Sequence, residues 1–273
     1  MRLRAALLMT LFAVGPDLVR ANQDTSPYPA AAPEEMDTFL LQASVVPRSA
    51  RNSGNGTTDS IRATLTDGRL THDVHIQDVD VSRAIFTAGR TTELNFRDSY
   101  KFNIAAYRLA RLVGIRNVPV SVLRRFQGSD AAFTWWVDDV LMDEKARVSR
   151  GVTAFDRVRT SQQLQVMRLW DELIANRDRN QGNMLWSSDG TLWLIDHTRA
   201  FRLGHELHAP ADLVRADRRL LHTLRSLTQQ DVTAAVQKNL TTLEVRAVLA
   251  RRDLLVGHYD ALIATRGEDQ VLF

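Results

Sequence analysis

The densest grouping of residues able to do chemistry is Asn176-Arg177-Asp178-Arg179-Asn180-Gln181-Gly182-Asn183. Asp178 and Asn183 lie five positions apart, and Asp196 follows Asn183 by thirteen. In phosphoryl transfer one carboxylate orients the attacking hydroxyl and accepts its proton. A second carboxylate and an amide oxygen hold a divalent cation against the phosphates. Oxygen ligands suit hard magnesium, which keeps several waters and needs few protein ligands. Asp, Asn and Gly also gather in turns for purely local reasons, so the loop alone says little. Its context says more, because the apolar stretch Leu192–Ile195 leads into Asp196, with Phe201 soon after.

The flanking elements must return Asp196 to Asn183. Before the loop, Val166, Met167, Trp170, Leu173 and Ile174 recur at helical spacing. After it, two short strands near 183–187 and 191–196 are joined by Ser188-Asp189-Gly190, and a hairpin brings the chain back to where it began. Helical patterns resume from about 211 to the end. The first half reads differently. Phe39–Val46 is apolar and partly β-branched, Ile61–Thr66 alternates, Asp67-Gly68 is a hairpin turn, and Thr71–Val79 follows as a strand. A helix is expected from near Asp98 to Val113, capped by Asp98 or Ser99 and ended by Gly114. Val118–Leu123 and Phe133–Met142 read as strands. The order predicts an α+β chain of two lobes, a β-rich N-lobe with one helix (about 37–140) and a helical C-lobe (about 145–273).

The spacing of Asp178 and Asn183 matches the kinase catalytic loop H-R-D-x-x-x-x-N. Asp178-Arg179-Asn180-Gln181-Gly182-Asn183 is similar to the Asp-Arg-His-Asn-Gly-Asn loop of phosphoinositide kinases, and Leu173-Ile174-Ala175-Asn176 to the same stretch in HipA-type kinases. Asp196-His197-Thr198-Arg199-Ala200-Phe201 resembles the Asp-Asn-Gly-Arg-Gly-Phe motif of secreted casein- and proteoglycan-type kinases. Upstream, Asn103-Ile104-Ala105-Ala106-Tyr107-Arg108-Leu109, with Leu112-Val113-Gly114 and Val118-Pro119, is similar to a helix and turn of that secreted family. The resemblance covers roughly residues 55–202. It implies an atypical kinase-like fold in which Asp178 is the catalytic base and Asn183 and Asp196 bind the metal, with ATP and Mg2+ or Mn2+ as cofactors.

The chain departs from that pattern at one pair. Where a kinase has a strand Lys and a helix Glu, the alignment puts Gln77 and Asn103. Losing both charges together avoids an unpaired charge in a closed site, and two amides can still hydrogen-bond. Lys101, Arg83 and Arg199 are candidates for the missing positive charge, and Glu93 is a spare carboxylate. Each reads equally as a solvated surface charge. Arg199 is expected to contact a phosphate or to stabilise the loop. Gly54-x-Gly56 lies where a phosphate-covering loop would be, and Met142-Asp143-Glu144 where a hinge would offer backbone from Met142 and Glu144 to an adenine. The expected activity is transfer of phosphate to the hydroxyl of an acceptor that is protein, lipid, sugar or small molecule. The alternatives are a pseudokinase that binds nucleotide or acts as a scaffold, and a kinase-fold AMP transferase.

Other chemistry is excluded or weakly signalled. The absence of cysteine removes disulfides, thiol nucleophiles and Cys–zinc sites. A formal charge of +3 without an aromatic-interleaved basic stripe does not point to nucleic acid. His72 and His75, three apart on a strand, face opposite sides. His205-Glu206-Leu207-His208 lacks the His-Glu-x-x-His spacing. At the N-terminus, Arg2 and Arg4 precede an apolar run from Ala5 to Val14, then Pro16 and a small Ala21, the pattern of a secretory signal over 1–21. Residues 22–36 read as a flexible linker before a 37–273 domain without a transmembrane segment. Export to a periplasmic or secreted location is therefore expected, with a cytoplasmic chain as the alternative.

Overall fold

A computed structural model describes residues 32–52, 60–88, 91–153 and 156–273. The signal and Gly54-x-Gly56 readings lie outside these residues, as does most of the linker. The first element is a helix, α1 (Pro33–Gln42), where the sequence reading has the end of a linker and the start of a strand. Pro33 fits the first helical position, where no N–H is needed. Glu34 and Glu35 face the positive end of the dipole, and the Glu35 carboxylate accepts the Ala32 N–H at 3.3 Å. Met36, Phe39 and Leu40, at helical spacing, are buried together. Only Ser44–Val45 (β1) of the expected Phe39–Val46 strand is extended.

The chain continues through β2 (Arg51–Asn52), β3 (Ile61–Thr66) and β4 (Thr71–Gln77). The β3–β4 turn is the one predicted: Gly68 sits at φ 85°, and the Asp67 carboxylate accepts the N–H groups of Arg69 and Leu70. A long hairpin, β5 (Asp80–Ala88) and β6 (Thr91–Ser99), forms a separate two-stranded ribbon. Helix α2 (Tyr100–Val113) follows at once, capped by the Ser99 hydroxyl and stopped by Gly114 at φ 85°. Strands β7 (Ser121–Phe126) and β8 (Ser129–Trp135) complete an antiparallel sheet of order β1-β3-β4-β8-β7, with β2 also paired to β3. Helix α2 is buried nearly all round, packed between β7 and β8 on one side and the C-terminal helices on the other.

The expected strand Phe133–Met142 is two strands. It breaks after Trp135, and β9 (Val140–Asp143) joins a different sheet, pairing with β10 (Met184–Ser187), which pairs in turn with β11 (Leu192–Leu194). Trp136–Asp139 is therefore the crossing between the lobes. Asp139 takes φ 52° there, which redirects the chain. Helices α3 (Glu144–Ser149) and α4 (Arg157–Leu173) precede β10. Helices α5 (Arg218–Ser226), α6 (Gln229–Val236), α7 (Thr242–Arg266) and α8 (Glu268–Val271) complete the C-lobe. One hydrophobic core runs through both lobes, from Leu40, Val74 and Phe133 to Trp170, Leu194 and Tyr259. The mixed α+β, two-lobed architecture is the one expected.

Candidate active site

Helix α4 ends at Leu173, and Ala175 turns the chain with φ 49°. The next residues are held by side chains. The Asn176 amide donates to Asp171 at 3.0 Å, and its oxygen accepts the Asp178 N–H at 3.2 Å. Asn180 accepts the Gly182 N–H at 2.8 Å. A Cβ on Gly182 would stand 3.1 Å from that same Asn180 oxygen, so the tight turn favours glycine there.

Arg179 fastens the loop to the hairpin. It donates to both oxygens of Asp171 through Nε, and through Nη1 to the carbonyls of Asn183 at 3.0 Å and Ile195 at 2.7 Å. The Ile195 N–H also donates to the Asn183 carbonyl at 3.1 Å. Asn183 and Asp196 are thus brought side by side at the open end of the hairpin. Arg179 is buried and compensated on every side, the condition under which an interior guanidinium is tolerated. Its Nη2 lies 3.0 Å from His197 Nε2, which also accepts the Trp170 indole N–H at 3.3 Å. Burial, then the adjacent Arg179 cation, push the His197 pKa well below its usual value. His197 is consequently neutral, with its proton on Nδ1.

Asp196 has φ 54°, a left-handed conformation that aspartate tolerates better than most residues. Thr198 donates to Asp196 Oδ1 at 3.1 Å. Asp196 Oδ2 and Asn183 Oδ1 accept no hydrogen bond among the described residues, and open oxygen acceptors of this kind suit a hard divalent cation. No group of three or more His, Asp or Glu side chains that could hold a metal occurs among the described residues. The set is therefore completed by ligand and water oxygens if a cation binds. His72 pairs with Asp138 at 2.9 Å, while burial lowers the pKa of His75 and the Asp196 charge opposes that shift.

Asp178 is half-exposed, and its Oδ2 faces Arg199 Nη1 at 3.6 Å. Burial raises its pKa, the Arg199 cation opposes the rise, and Asp196 and Asp98 add to it. Arg199 also donates from Nε to Asp98 at 3.0 Å. From the other lobe, Asn103 on α2 donates to Gln77 on β4 at 3.1 Å and accepts the His197 N–H at 2.8 Å. Gln77, Asn103 and the residue after Asp196 thus form one bonded line across the cleft. The other candidates have definite places. Lys101 is paired with Asp80 at 2.7 Å, Glu93 with Arg202, and Arg83 lies over the Phe86 ring. Met142 pairs with Trp186 in the β9–β10 sheet. Glu144 is buried and accepts from Arg147 and from the Trp186 indole at 2.7 Å. Both stand beyond the Trp136–Asp139 crossing.

No protein-family model matches the chain, and no curated protein matches it in sequence. Solved structures do. A hydra Fam20 structure with sugar overlays with a TM-score of 0.65 at 15% identity, covering 88% of this chain and 91% of the other. The Golgi casein kinase with Mn and ADP bound gives 0.64 at 12%, over 88% and 78%. The Helicobacter pylori proinflammatory kinase CtkA gives 0.51 at 8%, over 82% and 97%. The chain has an atypical kinase-like fold.

Within that fold Gln77 on β4 and Asn103 on α2 form a neutral amide–amide hydrogen bond. Three further residues organise the site: Asp98, Asp171 and His197. Asp171 and His197 flank the loop and Asp196 in sequence, yet nothing in their spacing marks them, since their meeting with Arg179 is made only in space. The sequence offers Asp98 only as an alternative helix cap, and Ser99 takes that place.

Proposed function

We propose that the protein is an ATP- and metal-dependent phosphotransferase that acts on an acceptor hydroxyl. The Arg179 staple carries this reading. It joins the Asp178 loop to the hairpin end, and a base, an amide oxygen and a second carboxylate drawn from those two segments are what phosphoryl transfer uses. Asp178, half-exposed, orients the hydroxyl and takes its proton. Asn183 and Asp196 hold Mg2+ or Mn2+, which when bound neutralises developing phosphate charge. Arg199, bonded to Asp98 and facing Asp178, stabilises the loop. Backbone at the lobe crossing and in Met142–Glu144, with Gln77 and Asn103, forms the nucleotide side. The Mn and ADP in the Golgi casein kinase structure support this cofactor choice. The Golgi location in that structure's name, with the signal-like residues 1–21, supports export; intact mass of the secreted form tests cleavage near Ala21.

The Gln77–Asn103 pair favours a second reading, a nucleotide-binding pseudokinase, because neutral hydrogen bonds grip phosphate about half as strongly as charge-assisted ones. Thermal-shift titration with ATP, ADP and AMP, with and without Mg2+ or Mn2+, alongside assays for released phosphate and pyrophosphate, separates the readings. Metal-dependent stabilisation with phosphate transfer supports the enzyme. Pyrophosphate release identifies an AMP transferase, and binding without turnover across acceptors a pseudokinase. No stabilisation by any nucleotide–metal pair overturns all three.

A further inference from the structure

We propose that Asp98 is a positioning residue that holds Arg199 back from Asp178, so that the base keeps its carboxylate open to the acceptor. The inference rests on the phosphotransfer reading of Asp178. Arg199 stands among three carboxylates, those of Asp98, Asp178 and Asp196. It forms a true hydrogen bond to only one, Nε to Asp98 Oδ2 at 3.0 Å. The 3.6 Å gap to Asp178 is an ion pair without a hydrogen bond. Asp178 Oδ1 accepts nothing among the described residues. An arginine free to choose would close on Asp178 as a bidentate fork, the preferred geometry for that pair, and would occupy both oxygens the hydroxyl needs.

Asp98 is built to prevent this. Its side chain is 6% exposed. It sits on β6 opposite Val81, and the next residue, Ser99, donates its N–H to the Thr198 carbonyl at 2.8 Å, fixing β6 against the segment that carries Arg199. The Phe96 ring lies 5.4 Å from the Arg199 guanidinium carbon. Asp98 Oδ1 is buried and has no partner, a cost that a neutral side chain would avoid. The same strand restrains a second cation: Arg202, whose charge also reaches Asp178, is paired with Glu93. β6 therefore holds both arginines that could sequester the base.

The test is a mutant cycle on the full chain. At saturating ATP–Mg2+, Asp98→Asn should lower kcat about tenfold while leaving the KM for ATP within twofold, because Asp178 is occupied and the nucleotide side is untouched. Removing the invading cation should reverse this, so Asp98→Asn/Arg199→Gln should turn over at least threefold faster than Asp98→Asn alone. A purely structural role for Asp98 predicts no such rescue, and its absence overturns the proposal. If no acceptor is phosphorylated at all, the cycle is read in melting temperature. The coupling between Arg199→Gln and Asp178→Asn should grow by about 2 °C or more in the Asp98→Asn background. Unchanged coupling refutes the restraint independently of whether the protein is an enzyme.

Discussion

On the phosphotransfer proposal, Asp178→Asn and Asp196→Ala should separate the role of base from that of cation ligand. The first removes the proton acceptor but leaves Asn183 and Asp196 in place, so metal-dependent nucleotide stabilisation persists while turnover falls about 10²- to 10⁴-fold, the usual weight of a general base. The second leaves the base and takes an oxygen from the cation set, so the extra stabilisation that Mg2+ or Mn2+ adds to nucleotide binding disappears. Titrating melting temperature with metal at fixed ADP checks both. A sharper residue-scale expectation concerns Asn103, which is buried between Gln77 and the His197 N–H. Asn103→Glu alone places an unpaired carboxylate there and should cost several kcal/mol. Gln77→Lys together with Asn103→Glu recovers much of that loss and should tighten ATP binding. Equal destabilisation by the single and double changes would show that the amide site cannot accommodate an ion pair.

At the scale of elements, the hinge side of the C-lobe depends on Glu144. Its hydrogen bonds to Arg147 are the main reason its pKa is lowered; burial opposes the shift, and the Trp186 indole adds to it. A depressed carboxylate contributes stability above its unfolded value near 4.5 and loses it as pH falls through the lower folded value. Wild-type stability should therefore decline below about pH 4.5, and Glu144→Gln, weaker by roughly 1–3 kcal/mol at pH 7, should decline less steeply. Trp186 fluorescence gives a local readout. Much at this scale was legible in the sequence. Ile61–Thr66, the Asp67-Gly68 turn and the two hairpin strands after Asn183 were placed nearly to the residue, because alternation, turn chemistry and apolarity agreed there. Phe39–Val46 misled because an apolar run of that length suits either a strand or a buried helix face, and the deciding signals, Pro33, Glu34 and Glu35, fell in the stretch read as linker. The β5–β6 ribbon was not foreseen. Much of it faces solvent, so Ile85 and Leu94 are exposed and no regular buried face imprints a period of two. Asn95 at φ 53° disturbs the pattern further.

At the scale of the whole molecule, that unforeseen ribbon adds ion pairs between the lobes beside the site. Glu93, Arg97 and Asp98, all on β6, pair with Arg202, Glu244 and Arg199 of the C-terminal half. The proposed site residues Asp178, Asn183 and Asp196 stand out in the sequence because they sit in one motif. The restraints on them do not, since each pair spans a long sequence separation that only the fold closes. The Arg97–Glu244 pair makes an asymmetric prediction. The Glu244 side chain is 2% exposed and also caps α7 through the Thr241 N–H and hydroxyl, whereas Arg97 is 28% exposed and rests on the Phe102 ring. Arg97→Gln strands a carboxylate that cannot reach water, and only the Thr241 bonds remain to satisfy it. Glu244→Gln strands a guanidinium that can turn toward solvent, and the amide oxygen still caps the helix. Arg97→Gln should therefore be the more destabilising, by about 1–3 kcal/mol given the partial exposure of the pair. The double substitution should cost less than the two single changes added together. Urea melts of the three variants decide it. Equal single-variant losses that add would mean that the pair is solvated like any surface contact and that the ribbon is held to the C-lobe by packing alone.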